Sequence, residues 1–300
     1  MNMPTQVLPD RLHDTTNSLI LIAEAKLIQF LQPYKASPTQ DVPASARAAA
    51  YHMASGGQRI RLRLALHACV ALKLGSDDAL AIASCAELLH NASLIHDDLQ
   101  DRDEFRRGRK SVWAAFGDDT AICSGDLLLS SAYAALATFS QPTLLPMLFA
   151  LTHSRTAQAI AGQCADLAAT GLLSTAAYED IAIAKSGALL SLPVELALVA
   201  SGNSIWQPQA RLAANSFSIG YQIIDDIADI ERDTNRGGSA SALNILLVLH
   251  LPGRSEAEAL AKARTIALNH LSAAALAAEQ LPMRSGSLLR ESALRLSVRL

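Results

Sequence analysis

The chain is poor in cysteine, in aromatic residues and in charge, and each shortage excludes a class of protein. Its four cysteines form no C-x-x-C pair and no Cys/His grouping with zinc-ligand spacing, so neither a zinc site nor a disulfide framework is expected. Aromatic residues make up 4% and charged residues 18% of the 300 residues, whereas 50% are hydrophobic. A core built from Ala and Leu favours helices, and we expect an all-α protein.

A strong charge of one sign and a targeting segment are also missing. The net charge is −3, and the one basic cluster, at 103–110, is too short for a nucleic-acid-binding surface. The N-terminus has no basic stretch followed by an apolar segment and a cleavage site. The charge-free stretch 127–152 is broken by Pro142 and Pro146 into two pieces too short to span a bilayer. We therefore expect a cytoplasmic protein without a membrane span or a nucleic-acid partner.

Helical periodicity dominates the chain, and no alternating strand pattern of useful length occurs. We expect one α-helical domain over 1–300, with an irregular arm at 1–16 and a polar loop at 102–111. Ser76 is the predicted N-cap of a long helix that ends near Asp101. Further helices are predicted at 111–116, 119–139, 143–169, 174–186, 187–201, 207–231, 239–250, 255–280 and 284–300.

Three aspartates stand at the end of the helix predicted after Ser76. Asp97 and Asp101 are four residues apart and share a helix face, while Asp98 lies about 100° round. Carboxylates at a helix C-terminus oppose the helix dipole, so the motif is unfavourable unless a cation binds. For one such motif, a solvated helix end is the simpler interpretation.

The same D-D-x-x-D pattern returns at Asp225, Asp226 and Asp229, again within apolar helical sequence. Two acidic helix faces far apart in the chain can meet in a helical bundle, and six carboxylates facing one cavity require multivalent cations. Mg²⁺ takes one or two protein carboxylates and completes its octahedral shell with phosphate oxygens and water. The two motifs predict several Mg²⁺ ions held between two helices together with a phosphorylated ligand.

Basic side chains adjoin these motifs. Arg59 and Arg61 lie at a Gly-rich break that opens a helix, where free N–H groups favour anions. Lys185 is the single cation of an apolar helix, which favours a buried partner over a surface position. A lone histidine such as His90 is more often a packed core residue than a ligand, so its role depends on its neighbours. The first motif is followed by Arg106, Arg107, Arg109 and Lys110.

Taken together, these blocks resemble the trans-isoprenyl diphosphate synthases, also called polyprenyl synthetases. The similar blocks, from about residue 45 to 231, are GGQRIR, AELLHNASLIHDDLQDRDEFRRGRKSVW, AGQCADL, AKSGALL and YQIIDDIADI. The resemblance implies an all-α bundle around a deep central cavity, usually in a homodimer. It also implies a reaction in which an allylic diphosphate ionises and the double bond of isopentenyl diphosphate attacks the resulting cation, head to tail.

The resemblance assigns roles to individual residues. Three Mg²⁺ ions on the allylic diphosphate would be held by Asp97, Asp98, Asp101, Asp225, Asp226 and Asp229. The same diphosphate would contact Arg106 and Lys185, with Ser186 and Gln222 lining the reacting centre. Isopentenyl diphosphate would be bound by Gln58, Arg59, His90 and Arg107.

Two departures from the family pattern concern substrate binding. Gln58 stands where the family usually has lysine, so one contact to isopentenyl diphosphate is lost or weakened. After the second motif, the segment ERDTNRGGSASALNILLVL contains none of the family's lysines, and Arg236 is the candidate replacement.

Residues just before the first motif would form the floor of the substrate pocket. The fifth residue upstream, usually aromatic in short-chain bacterial members, is Ala92, and it is followed by Ser93. A small floor predicts growth past fifteen carbons, to geranylgeranyl diphosphate or a somewhat longer product. Leu89 and Leu128 are candidates for the next stop, and the alternative is that Phe139 closes the pocket early.

Two other functions remain open from the sequence. A terpene cyclase-like or unusual prenyl-coupling enzyme could use the same metal-binding motifs, but its second motif would be of the N-D-x-x-S-x-x-x-E type. A non-catalytic regulatory subunit of a prenyl synthase is favoured slightly by Gln58 and the missing lysines. The six intact aspartates argue against that subunit, because it has no reason to retain their mutual repulsion.

Overall fold

Helices rich in Ala and Leu make up almost all of the residues that the structure describes. The computed structural model describes residues 11–31, 41–169, 173–235, 243–249 and 255–300. Its first helices are α1 (Arg11–Phe30), α2 (Ala44–Met53), α3 (Ile60–Ala71), α4 (Ser76–Gln100), α5 (Val112–Phe116), α6 (Asp118–Leu136) and α7 (Leu145–Ala168). They are followed by α8 (Thr175–Ala182), α9 (Ala188–Ala200), α10 (Gln207–Asn235), α11 (Ile245–Leu249), α12 (Glu256–Glu279) and α13 (Ser287–Ser297).

Helix α9 runs through the centre of the bundle, and every one of its residues is buried. It packs against α3, α4, α7 and α10, while α4 packs along α6. The run Thr175–Ala200 has the length and hydropathy of a membrane span, yet most of it is buried among the other helices, as in a core helix. The prediction of an all-α fold is confirmed, and the single domain over 1–300 stays a prediction.

The second half of the chain completes the bundle around α10. Helices α10 and α12 pack along each other, and α11 closes against α12 over a second apolar cluster. The C-terminal Leu300 packs against both clusters and so links them. This arrangement places the second aspartate motif, on α10, at the edge of an apolar layer.

A buried ion network crosses the bundle away from the aspartate motifs. The Glu195 carboxylate, on α9, is completely buried and accepts hydrogen bonds from two arginines on neighbouring helices. Arg155 Nε and Nη2 lie 2.7 and 3.0 Å from its two oxygens, and Arg211 Nη1 lies 2.7 Å from the second. Ser191 Oγ donates a further bond of 2.8 Å. The network therefore ties α7, α9 and α10 together.

Several local predictions were wrong. The arm predicted at 1–16 is helical from Arg11, and residues 1–10 lie outside the described residues. Gly75 is the N-cap of α4 and Ser76 is its first helical residue, without a side-chain cap. The loop 102–111 contains a small antiparallel hairpin of β1 (Phe105–Arg106) and β2 (Arg109–Lys110). Its tight turn uses positive φ angles at Arg107 and Gly108.

The boundary predicted between helices 174–186 and 187–201 is not a break. A π-helical turn, Ile183–Gly187, joins α8 to α9 without interruption. Such turns insert an extra residue into the helix and are often found at functional sites. Helix α11 covers Ile245–Leu249 of the helix predicted at 239–250, of which 239–242 and 250 lie outside the described residues. Helix α13 begins after a 3₁₀ turn at Pro282–Arg284.

Candidate active site

The first aspartate motif divides into an open pair and a buried partner. Asp97 and Asp101 share one side of the end of α4, as their spacing predicts. Asp98 is only 1% exposed, and both of its carboxylate oxygens accept hydrogen bonds from Arg106 Nε at 2.7 and 2.8 Å. Asp98 is thus paired with Arg106, and its place among the carboxylates that hold the metal stays a prediction.

The second motif repeats this division. Asp226 is buried and accepts hydrogen bonds from the Tyr178 hydroxyl at 2.7 Å, the Gln222 amide at 2.8 Å and the Ile245 backbone N–H at 2.8 Å. Three donors from α8, α10 and α11 thus converge on one carboxylate. Asp226 therefore joins those helices, and its role in holding the metal stays a prediction.

Asp225 is less buried than Asp226 and accepts a hydrogen bond from the Tyr221 hydroxyl. Burial and the nearby Asp225 charge raise the pKa of Tyr221, so its hydroxyl stays protonated at neutral pH. The side chain of Asp229 and all of Arg236 lie outside the described residues.

Electrostatic contacts place the two motifs near each other. The Arg61 guanidinium interacts with Asp97 of the first motif and with Tyr221 beside the second. Asp166 of α7 interacts with Asp101 and also with Tyr178, the partner of Asp226. Within the described residues, however, no three carboxylate, histidine or cysteine side chains are close enough to hold a metal ion. The open carboxylates therefore do not form an all-protein metal cage.

Lys185 lies on the π-helical turn, and Asp97 and Asp101 of the first motif are among its electrostatic neighbours. Its ammonium donates to Asp166 Oδ2, and its side chain is 26% exposed. Burial alone would lower the pKa of Lys185, but the carboxylates of Asp166, Asp97 and Asp101 together raise it above its ordinary value. Ser186 follows on the same turn and is half-buried.

Arg59 is occupied by protein groups. Its backbone is left-handed at the start of α3, with φ of 50°, and its guanidinium contacts the buried Glu87 at 3.2 Å and the Met53 carbonyl at 2.7 Å. Glu87 also accepts hydrogen bonds from the Asn91 amide and from the Leu62 backbone N–H. The structure thus gives Arg59 a role in holding the Gly-rich break against α4.

Arg61 was not assigned to the site from the sequence, yet it lies deepest in the cationic cluster. Its Nη1 is 3.1 Å from His90 Nε2, and its buried Nε has no hydrogen-bond partner. Burial lowers the pKa of Arg61 to about 10, so it remains charged at neutral pH. Burial and the neighbouring arginines lower the pKa of His90 well below its ordinary value, which keeps that ring neutral. Arg59 and Arg61 are two residues apart, and side chains at this spacing point to different sides of a helix. That spacing could have indicated from the sequence that the two arginines have different partners.

The hairpin brings Arg107 to the Gly-rich break. Arg107 donates to the Gly56 carbonyl, and its guanidinium fills the space that a Cβ on Gly57 would occupy. Tyr51 of α2 anchors the same hairpin through its hydroxyl, which donates to the Lys110 carbonyl at 3.0 Å, and through its ring under Arg109. Arg61 and Arg107 are both electrostatic neighbours of His90, and Gln58 is exposed at the Gly-rich break.

The order of these blocks along the chain matches a known family. The model of the family described as polyprenyl synthetase aligns with residues 42–242, which include both aspartate motifs. The chain belongs to the polyprenyl synthetase family. The predicted resemblance is therefore confirmed.

Named relatives in this family include prenyl diphosphate synthases. The chain is 31% identical to the chloroplastic geranylgeranyl pyrophosphate synthase of Capsicum annuum over 207 residues, which are 66% of this chain and 56% of the relative. It is 34% identical to the (2E,6E)-farnesyl diphosphate synthase of Mycobacterium tuberculosis over 177 residues, which are 58% of this chain and 49% of the relative. The matched regions thus span about half of these relatives.

Solved structures share the fold over nearly the whole chain. The geranylgeranyl pyrophosphate synthetase of Pyrococcus horikoshii superposes with a TM-score of 0.80 at 22% identity, covering 97% of this chain and 99% of the other. The enzyme of the same name from Geoglobus acetivorans gives 0.79 at 24% identity, covering 95% and 99%. Both likenesses show the all-α fold.

The chemistry of the open carboxylates suits the Mg²⁺ that a polyprenyl synthetase is expected to use. Burial raises the pKa of Asp97 to about 6 and also raises that of Asp101, so each carboxylate lacks full compensation. Hard oxygen donors in pairs, without a closed cage, are the ligands that Mg²⁺ takes together with substrate phosphates. When bound, the metal offsets the negative charge of a diphosphate.

The residues predicted to limit the length of the product lie on α4, before the first motif, and on α6. Ala92 and Leu89 are buried on α4, and Leu128 is buried on α6. Ser93 is half-buried and its hydroxyl donates to the His90 carbonyl at 2.8 Å. Phe139, the alternative stop, is buried beyond the end of α6.

Asp97→Asn should stabilise the metal-free protein at neutral pH, because burial disfavours the charged carboxylate. Between its ordinary pKa of 3.8 and about 6, the folded state binds more protons than the unfolded state, so Asp97 lowers stability as the pH rises through that window. Urea unfolding with EDTA should show a gain of up to about 3 kcal/mol for the variant at pH 8.

The same gain should be absent near pH 4, where the wild-type carboxyl is protonated in the folded state. The exposed Asp119→Asn serves as the control and should leave the pH dependence unchanged. An equal effect of Asp97→Asn at both pH values would contradict the assigned cause.

Proposed function

We propose that this protein is a trans-prenyltransferase that joins an allylic diphosphate to isopentenyl diphosphate. The observation that carries the proposal is the presence of two anion sites of different character side by side. One has open carboxylates, Asp97, Asp101 and Asp225, which suit a diphosphate that arrives with Mg²⁺. The other is a cationic cluster around Arg61, Arg107 and the neutral His90, which suits a diphosphate without metal.

The carboxylate site is assigned to the allylic substrate. Asp97, Asp101, Asp225 and Asp229 are the direct ligands of Mg²⁺, with three ions per site. Asp98 and Asp226 act through their protein partners: Asp98 orients Arg106, and Asp226 orients Gln222. Arg106 and Lys185 contact the allylic diphosphate, and Arg236 is the further candidate contact. Donors aimed at the leaving group stabilise the charge that develops when its C–O bond breaks.

The cationic cluster is assigned to isopentenyl diphosphate, with Arg61 added to the predicted set. Arg59 and Arg61 each have a buried Nε without a hydrogen-bond partner, but the other donors of Arg59 contact Glu87 and the Met53 carbonyl, whereas Arg61 Nη1 contacts the neutral His90. We therefore assign the direct phosphate contact to Arg61 and a supporting role to Arg59. Gln58, His90 and Arg107 complete the site.

The reaction then needs no protein nucleophile. The allylic C–O bond breaks, the isopentenyl double bond forms the new C–C bond to the cation, and the proton lost from the product passes to the released diphosphate. Ser186 and Gln222 supply neutral polar groups at the reacting centre. The apolar walls of α4 and α6 exclude water, which would otherwise capture the cation.

One assay separates this function from its alternatives. Pure protein with Mg²⁺, isopentenyl diphosphate and geranyl or farnesyl diphosphate should give elongated diphosphates by mass spectrometry, and EDTA should abolish them. A hydrocarbon product would indicate a terpene cyclase-like enzyme. Absence of turnover, with recovery on adding an active synthase, would indicate a regulatory subunit.

Gln58→Lys should strengthen the binding of isopentenyl diphosphate. Gln58 is exposed next to Arg107, and a lysine there adds a charge-assisted contact to the phosphate. The KM for isopentenyl diphosphate should fall about tenfold, as expected for about 1.4 kcal/mol. Gln58→Met, which has similar length without charge, is the control. A change confined to the allylic substrate would contradict the assignment of this site.

Ala92→Phe should shorten the product. Ala92 lies five residues before Asp97, about 7.5 Å down α4, and a ring would replace its small buried side chain there. The wild-type product is proposed to be geranylgeranyl diphosphate or somewhat longer, and the variant should stop at farnesyl diphosphate. Product analysis checks this, with Leu128→Ala as the companion that should lengthen the product. An unchanged product from Ala92→Phe would place the floor elsewhere.

The protein is proposed to work as a cytoplasmic homodimer that pairs through α7. An exposed, uncharged stripe runs along that helix at helical spacing, comprising Met147, Ala150, Ser154, Ala157, Ala161, Cys164 and Ala168. Ile160 beside it is 55% exposed. Ile160→Asp should give a monomer in sedimentation analysis, whereas Leu276→Asp, at an equally exposed leucine on α12, should not.

A further inference from the structure

The π-helical turn that carries Lys185 is held between two neighbouring helices. On one side, a Cβ on Gly162 of α7 would lie 2.3 Å from the Lys185 backbone nitrogen and 2.6 Å from the Ala184 carbonyl carbon. On the other side, a Cβ on Gly187 would lie 2.7 Å from Asn215 Oδ1 of α10. The backbone of the turn is therefore in direct contact with α7, and only glycine at position 162 permits that contact.

One helical turn after Gly162, the same face of α7 presents Asp166. Its Oδ2 accepts the hydrogen bond from the Lys185 ammonium, and its side chain is 13% exposed. Its Oδ1 is buried without a hydrogen-bond partner. Between them, Gln163 donates from Nε2 to Gln100 Oε1 at 3.0 Å, which fixes this part of α7 to the end of α4.

These contacts define two separate constraints on one side chain. Gly162 sets the position of the Lys185 backbone, and Asp166 sets the position of its ammonium. Helix α7 is tied to α4 at Gln100, which is next to Asp101. Both constraints therefore fix the position of Lys185 relative to the first aspartate motif. A long, flexible lysine side chain otherwise samples many rotamers, and holding one of them costs entropy at the moment of binding.

We propose that Gly162 and Asp166 are positioning residues that hold the Lys185 ammonium over Asp97 and Asp101, ready for the allylic diphosphate. The inference rests on the proposed function, in that it takes Lys185 as a ligand of that diphosphate. It adds a specific cause for the π-helical turn. The extra residue moves Lys185 out of the regular helical path, and Gly162 keeps it there.

The first test is Gly162→Ala, with Gly75→Ala as the matched control. A Cβ at Gly75 meets nothing within 4 Å, so that variant adds the same methyl group without a displacement. Gly162→Ala should lower kcat/KM for the allylic substrate about 100-fold, the cost of a misplacement near 1 Å. The KM for isopentenyl diphosphate should stay within about twofold, because its site lies on α3 and the hairpin. A uniform loss for both substrates, with a lowered unfolding midpoint, would overturn the proposal.

A double-mutant cycle with Lys185→Ala separates positioning from general damage. If Gly162 acts through Lys185, adding Gly162→Ala to the Lys185→Ala protein should cause little further loss. The full loss in that background would show that Gly162 acts elsewhere, and the proposal would fail. Asp166→Asn should lower kcat/KM about tenfold and show the same non-additivity, so the proposal stays testable if Gly162→Ala does not fold.

Calorimetric binding of inorganic diphosphate with Mg²⁺ gives the same comparison without turnover. Gly162→Ala and Asp166→Asn should each weaken binding in the wild-type background but not in the Lys185→Ala background. If Lys185→Ala itself leaves diphosphate binding unchanged, the proposed role of Lys185 is wrong. If Lys185→Ala weakens binding while Gly162→Ala does not, the positioning proposal alone is wrong.

Discussion

Asp97→Ala and Asp225→Ala should each lower turnover about 10³-fold while leaving the protein folded. Both carboxylates belong to the open set, and their loss removes direct ligands for the metal that offsets the leaving diphosphate. Neither is tied into the packing of neighbouring helices as Asp226 is. Steady-state kinetics under saturating Mg²⁺, together with circular dichroism, checks both parts of the expectation.

Asp226→Asn is the matched control, because it changes the adjacent residue without changing its shape. The Asp226 carboxylate accepts hydrogen bonds from Tyr178, Gln222 and the Ile245 N–H. Replacing it with an amide should lower the unfolding free energy of the protein by about 2–3 kcal/mol. Asp226→Asn should thus differ from Asp225→Ala by its loss of stability, and its effect on turnover should be limited to what depends on its hydrogen bond to Gln222. Near-normal activity in both Asp97→Ala and Asp225→Ala would refute the metal assignment.

Glu195→Gln should destabilise the protein by about 3–5 kcal/mol. The carboxylate is completely buried between Arg155 and Arg211, and the amide leaves both guanidinium groups without their counter-charge. Breaking a buried ion network costs far more than the network contributes in net stability, because the remaining charges stay desolvated. Chemical denaturation measures the loss, and the specific activity of the folded fraction should remain normal.

The control for this prediction is Glu279→Gln. That carboxylate pairs with Arg290 at 3.5 Å and is 60% exposed, so its loss should cost at most about 1 kcal/mol. Similar effects for the two substitutions would show that the network around Glu195 is accessible to solvent.

Local spacing explains which features of the site the sequence could predict. The four-residue interval between Asp97 and Asp101 places them on one face, and the same geometry separates Asp98 from them. The helical break at the two glycines followed from a similar argument. All of these depend on residues close together in the chain.

Features that depend on distant partners could not be predicted in this way. Asp226 is buried because Tyr178 and Ile245 approach it from other helices. Arg59 turns towards Glu87 because its backbone adopts a left-handed φ, which is uncommon for a residue with a side chain. The π-helical turn depends on contact with Gly162 of another helix, and nothing in the sequence AIAKSGALL indicates it.

The pairing of cations in the site has a consequence for selectivity. Arg59, Arg106 and Lys185 are each matched to a carboxylate, those of Glu87, Asp98 and Asp166. An abundant small anion such as inorganic phosphate gains little by competing for charges that are already neutralised. A diphosphate accompanied by divalent ions brings positive charge to Asp97 and Asp101. This attraction offsets the cost of displacing the existing ion pairs. Under the proposed function, the carboxylate side of the site therefore disfavours anions that arrive without a divalent ion.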